Sequence, residues 1–233
     1  MKLSNVWNRL RGPKNVRQRV AIAPSAPAEV ESFEARQLLS ASALFIPATG
    51  ELNIELNSND NVRVSSVNGS VLIEVGANGG AYAPLTSIGT VASSSVLSLV
   101  VLGGDDANVI DLNGVTAAAF TALTSTSIDA ANGNDTIVTG TGDDLVAGGD
   151  GNDQVNAGNG NDTITGGDGN DSILGGGGAD VIFGDDGDDY LDGQGGTDTI
   201  ASGQGIDVIV DPVSEIDEKF VLSAAVLLAL QGN

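Results

Sequence analysis

From residue 137 to 209 an aliphatic side chain recurs at every ninth position: Ile137, Val146, Val155, Ile164, Ile173, Ile182, Leu191, Ile200 and Ile209. The residues between them are polar or glycine. The 3.6-residue period of an amphipathic helix does not fit this spacing. It predicts a unit of one short strand and one turn. In Gln154-Val155-Asn156 the middle side chain points one way and its two neighbours the other. GGDGND (148–153) is the turn, its glycines permitting left-handed backbone and close approach of neighbouring loops. One unit cannot bury its own aliphatic residue. Two units, 18 residues, form a coil with two facing strands, and stacked coils enclose a thin aliphatic core. Nine units predict four and a half coils, roughly 22 Å long at ~4.8 Å per rung.

The phase runs upstream in decayed form. In GGDDANVID (103–111), Asn108 and Ile110 stand three periods before Asp135 and Ile137; Thr126 and Ile128 keep phase, and Ala117 and Ala119 do so weakly. Residues 95–129 are therefore expected to form degenerate β-solenoid rungs. LNIEL (52–56), NVRV (61–64) and SVLIEV (70–75), separated by turns such as Asn68-Gly69, read as strands in register with the solenoid. They place a β-strand-rich N-terminal cap over 42–94, covering an end that would otherwise invite edge pairing. The expected organisation is completed by a basic export or targeting segment at 1–41, the regular repeats at 130–211 and a C-terminal cap or secretion signal at 212–233. The apolar run within 217–230 is too short to span a membrane.

Composition narrows the chemistry. Aromatics are 3% of the chain and glycines number 33, so the core is not built on large rings. There is no His and no Cys. That removes disulfides, imidazole or thiolate metal sites, and every His- or Cys-dependent catalytic arrangement. The upstream acids Glu51, Glu55, Asp60 and Glu74 are isolated on expected strands, and no enzyme activity is expected. The net charge is −22. The first 36 residues carry +4 and the rest −26, with sixteen acidic residues and no basic one from Asp135 to Asp207. Such a body repels nucleic acid and acidic lipid surfaces.

The acids also keep the nine-residue period. Asp135, Asp144, Asp153, Asp162, Asp171, Asp180, Asp189, Asp198 and Asp207 each stand two residues before an aliphatic and two after a glycine. In stacked coils they divide into two columns on opposite edges of the roll. Asp135, Asp153, Asp171, Asp189 and Asp207 form one, and Asp144, Asp162, Asp180 and Asp198 the other. Carboxylates ~5 Å apart repel by ~0.8 kcal/mol per pair even at the dielectric of water. A divalent cation between adjacent loops removes that repulsion, and all-oxygen sites of flexible geometry favour calcium over magnesium. An EF-hand is excluded by the period and by the lack of Glu between 75 and 214. A phosphate-binding loop lacks its lysine, and a threonine ladder starting at Thr163 and Thr165 is broken by Ser172, Leu174, Val181 and Phe183.

GGDGNDQVN (148–156), AGNGNDTIT (157–165) and GGDGNDSIL (166–174) resemble the hemolysin-type, or RTX, calcium-binding nonapeptide G-G-x-G-x-D-x-U-x. The resemblance implies an all-β, right-handed parallel β-roll that binds calcium between loops two repeats apart. Nine loops then leave up to about seven ions, with the nine aspartates as ligands. The sequence departs from the pattern at Ala130, Thr139, Ala157 and Ser202 in the first turn position, and at Thr197 and Ile206 just before the aspartate; weaker binding or capping is expected there. Proteins of this kind are typically exported, so a secreted or cell-surface structural or adhesive module is expected. Its partners would be cell-envelope or matrix components. The alternative is a folding and export cassette whose partner is a secretion apparatus. SFEARQLLSA (32–41) resembles a short N-terminal motif of secreted and surface proteins of some bacteria.

Overall fold

The computed structural model describes residues 41–210 except 58, 78, 79, 86 and 87; the expectations for the basic head up to residue 40 and for the tail from 212 lie outside the described residues. The chain opens with β1 (Ser42–Ile46), β2 (Glu51–Glu55), β3 (Asp60–Val67), β4 (Ser70–Ala77) and β5 (Ala83–Pro84). There follow β6 (Ser98–Leu102), β7 (Val109–Asp111), β8 (Ser125–Asp129) and β9 (Thr136–Val138). The most regular part contains β10 (Asp144–Asp150), β11 (Gln154–Asn156), β12 (Thr163–Asp168), β13 (Ser172–Gly178), β14 (Val181–Asp186), β15 (Tyr190–Gly196), β16 (Thr199–Ala201) and β17 (Val208–Val210).

Successive strands alternate between two sheets. One has the order β1-β2-β6-β8-β10-β12-β14-β16 and the other β17-β15-β13-β11-β9-β7-β3-β4-β5. Each coil gives one strand to each sheet, and strands two apart in sequence pair in parallel. This is a parallel β-roll. The pairing offset within the repeats is 18 residues throughout, as in Val146↔Ile164↔Ile182↔Ile200 and Val155↔Ile173↔Leu191↔Ile209. The aliphatic column lies between the sheets: Ile137, Ile164, Ile173, Ile182 and Leu191 are fully buried, while Gln154 and Asn156 are exposed beside buried Val155.

The upstream rungs are longer. Leu99 pairs with Thr126 and Ile110 with Ile137, an offset of 27 residues. The middle nine residues of that coil are not a rung. Ala117 and Ala119 lie in a turn where the N–H groups of Ala119 and Phe120 donate to the Thr116 carbonyl. Phe120 and Val115 bury themselves in the core in place of a strand residue, which corrects the expectation of phase at 117 and 119. Bulk decided the outcome: a buried Phe contributes far more apolar area than an Ala at the phased position.

The upstream end is closed by reversed strands. β2 and β3 run parallel to β6 and β7, as expected from LNIEL and NVRV. SVLIEV does not: β4 is antiparallel to β3. Asn68 and Gly69, at φ 52° and 76°, make the two-residue reversal that fixes this direction. β1 likewise lies antiparallel on β2, and β5 on β4.

Candidate metal centre

The strand alternation that buries Val155 also carries Asp153 and Ala157 to the same side, so the repeating aspartates point into the roll. All nine, from Asp135 to Asp207, are buried, none more than 6% exposed. The two columns read from the sequence are present. The carboxylates, however, are enclosed within the edges of the roll and not displayed on them.

One oxygen of each carboxylate builds the stack. The backbone N–H of Asp153 donates to Oδ1 of Asp171 at 2.8 Å, and Asp135, Asp144, Asp162, Asp171 and Asp180 donate in the same way to the aspartate one coil later at 2.8–2.9 Å. Asp189 closes the series on Asp207 at 3.2 Å. The other oxygen, Oδ2, has no hydrogen-bond partner in any of the nine. A buried carboxylate oxygen without a donor is costly.

What faces Oδ2 is also an acceptor. A Cβ placed on Gly148 would stand 2.3 Å from Oδ2 of Asp153 and 2.7 Å from the carbonyl oxygen of Gly166 in the next coil. The same point beside Gly166 is bounded by Oδ2 of Asp171 and the Gly184 carbonyl, at 2.3 and 2.8 Å. Beside Gly175 it is bounded by Oδ2 of Asp180 and the Gly193 carbonyl. Carboxylate and carbonyl oxygens thus converge where no side chain and no donor is present. Burial accordingly pushes the carboxyl pKa up, against the stacking N–H bond: to about 7 for Asp135, Asp162 and Asp171 and about 6 for Asp153. Asp144, Asp180 and Asp189 are raised by burial as well.

Two facing acceptors need a positive charge between them. The donor set is oxygen alone, Arg63 is the one basic residue between 41 and 210, and it is paired with Asp111 at 3.0 Å. Such a set fits a hard cation of flexible coordination, the character of calcium. Among the described residues no three acidic side chains gather at one point. The ligands of each ion would therefore be one or two carboxylates completed by turn carbonyls.

The turns that position these oxygens depend on two features, one legible and one missed. Glycine is needed where coils touch: at Gly178, φ 145°, a Cβ would stand 1.8 Å from the Gly160 carbonyl oxygen. The missed feature is an outer ladder. Oδ1 of Asn134, Asn152 and Asn170 accepts the backbone N–H of the corresponding residue one coil on, at 2.7–2.9 Å, and Asp143 and Asn161 do the same on the other edge. Its signal was visible as Asn or Asp directly before most of the repeating aspartates.

The series of unpartnered oxygens starts at Asp135. One coil earlier, Asn108 holds the equivalent place, accepts the N–H of Gly104 at 2.8 Å and donates from Nδ2 to the Asp60 carbonyl at 2.8 Å. A neutral amide supplies its own donor there. In the other column the equivalent residue is Thr126, also buried.

A family model for the RTX calcium-binding nonapeptide repeat matches this region in four overlapping copies, at residues 129–164, 148–182, 156–191 and 174–209. No curated protein and no solved structure matches the chain.

Proposed function

Because residues 129–209 are RTX calcium-binding repeats, we propose that this chain is a secreted or cell-surface structural or adhesive module whose repeat half folds when it binds extracellular calcium. The observation that carries the reading is the set of nine buried Oδ2 atoms without a donor. Asp135, Asp144, Asp153, Asp162, Asp171, Asp180, Asp189, Asp198 and Asp207 are the proposed carboxylate ligands. Calcium would supply the positive charge that their convergence with the turn carbonyls requires. The chain's own contribution is placement: Oδ1 ties each aspartate to the preceding coil, and glycine keeps the space beside Oδ2 free. Extracellular modules bind calcium at about 10⁻⁴–10⁻³ M, a concentration found outside cells and not free in a cytosol, so folding would be confined to the exterior. The module carries out no chemistry of its own. Among the described residues no helix is long and apolar enough to cross a membrane.

A calcium titration followed by circular dichroism tests this reading. β-signal and compaction should appear with calcium and not with magnesium at equal concentration. Compact repeats in excess chelator at neutral pH would overturn it.

A further inference from the structure

We propose that the residue at the first turn position decides which carboxylates take a cation, and that Thr139 closes the pocket of Asp144. The inference rests on the calcium reading above and removes one residue from its ligand set. Five residues before Asp153, Asp171, Asp180, Asp189 and Asp198 stands a glycine: Gly148, Gly166, Gly175, Gly184 and Gly193. A Cβ on any of them would stand 2.3–2.5 Å from the unpartnered Oδ2. The space beside that oxygen is therefore open only because the side chain is missing.

Before Asp144 the position is Thr139, whose side chain is buried. Its hydroxyl donates to the Ala157 carbonyl. That carbonyl holds the same place relative to Asp144 that the Gly166 carbonyl holds relative to Asp153. The hydroxyl thus occupies the gap between carboxylate and next-coil carbonyl in which a cation would sit at the glycine positions. The hydroxyl of Thr126, one coil earlier, acts on the same carboxylate; together the two threonines pull its pKa down against the effect of burial. A hydroxyl rotor can turn its proton to either acceptor. At Asp135 and Asp162 the first position is Ala130 or Ala157, which adds a methyl group and no donor, so those carboxylates keep their need for a cation.

The test is ion counting by native mass spectrometry on the full chain at saturating calcium, for wild type, Asp144→Asn, Asp171→Asn and Thr139→Gly. Asp144→Asn should carry the wild-type number of ions, Asp171→Asn at least one fewer, and Thr139→Gly one more. Loss of ions by Asp144→Asn equal to the loss by Asp171→Asn overturns the proposal, as does an unchanged count in a folded Thr139→Gly. If Thr139→Gly does not fold, the two Asn variants decide. A wild type that binds no ion refutes the calcium reading itself and the proposal with it.

Discussion

Asp171 serves two coils with one carboxylate: Oδ1 accepts the backbone N–H of Asp153 at 2.8 Å, and Oδ2 is left facing the point where the Gly184 carbonyl also arrives. The first contact is complete within the protein and the second is not. The same division, repeated along both columns, separates what this chain can stabilise by itself from what it needs a cation to stabilise.

Neighbouring glycines should differ sharply on substitution. Gly178→Ala sets a Cβ 1.8 Å from the Gly160 carbonyl at φ 145°. Gly177 has ordinary φ, and its nearest obstacle is the side-chain oxygen of Asn159 at 3.0 Å, which can move. Gly178→Ala should lower the stability of the calcium-loaded roll by about 2 kcal/mol or more, the scale of backbone strain and overpacking, and Gly177→Ala by less than ~1 kcal/mol. Calcium-loaded thermal melts of the two variants provide the comparison; equal effects would mean that the coils do not approach as described.

Inward and outward positions should also separate. Ile164 is fully buried between Val146 and Ile182, whereas Thr163 is only half-buried on the outer face of the same strand. Ile164→Asp places an unpaired charge in a core a few side chains thick, and calcium-induced folding should be lost. Thr163→Asp should fold with calcium, shifted by a few tenths of a kcal/mol as is usual for surface changes. Circular dichroism against calcium concentration reads both.

These two contrasts follow from periods that the sequence displays openly. The aliphatic column, the division of the aspartates into two columns and the Asn68-Gly69 reversal were all readable, because each rests on residue type at fixed spacing. The inward direction of the carboxylates was readable in principle. Asp153, Val155 and Ala157 are two apart and share a face, but a charged residue is ordinarily assigned to solvent. Phe120 was hidden because it breaks the nine-residue phase, and its loop is held by packing rather than by a repeated turn. The role of Thr139 needed coordinates, since only the position of the Ala157 carbonyl shows what its hydroxyl meets.

Protons should partly replace calcium. Asp135, Asp162 and Asp171 have folded-state pKa values raised to about 7 and Asp153 to about 6, against ~3.9 in an unfolded chain. A raised carboxyl pKa means that the folded state binds more protons than the unfolded state. The metal-free roll should therefore gain stability as pH falls from about 7 toward 4, and it is least stable above pH 7. Calcium affinity should fall over the same window, because the proton and the cation compete for one oxygen. Circular dichroism in chelator at pH 8, 6 and 5 should show increasing β-signal; a decreasing signal would show that the buried carboxyls do not control the metal-free state.

Calcium removal should unfold one part of the chain and leave another standing. Among the described residues, nineteen buried hydrophobic side chains lie between Ala41 and Ala130, including Phe120, Leu52, Ile73 and Leu112. Between Ile137 and Ile200 there are nine, over a stretch of similar length. Burial of a Leu or Ile contributes about 1.5–3 kcal/mol, and ordering costs roughly 1–2 kcal/mol for each residue's backbone. One aliphatic for nine glycine-rich residues falls well short of that cost. Polar groups point the same way. The unpartnered buried side-chain oxygens identified among the described residues begin at Asp135, whereas Asn108 and the strands before it supply their own donors. Metal binding is then coupled to folding downstream of residue 130 and not upstream of it. Hydrogen exchange read by mass spectrometry on the full chain, with calcium and with excess chelator at pH 8, resolves the two parts. Amides of β2, β3, β6 and β7 should stay protected in both conditions, while those of β10 to β15 should lose protection in chelator within the shortest labelling time. Uniform loss across all these strands would make the upstream half dependent on calcium too, and uniform protection would make calcium incidental to the whole fold.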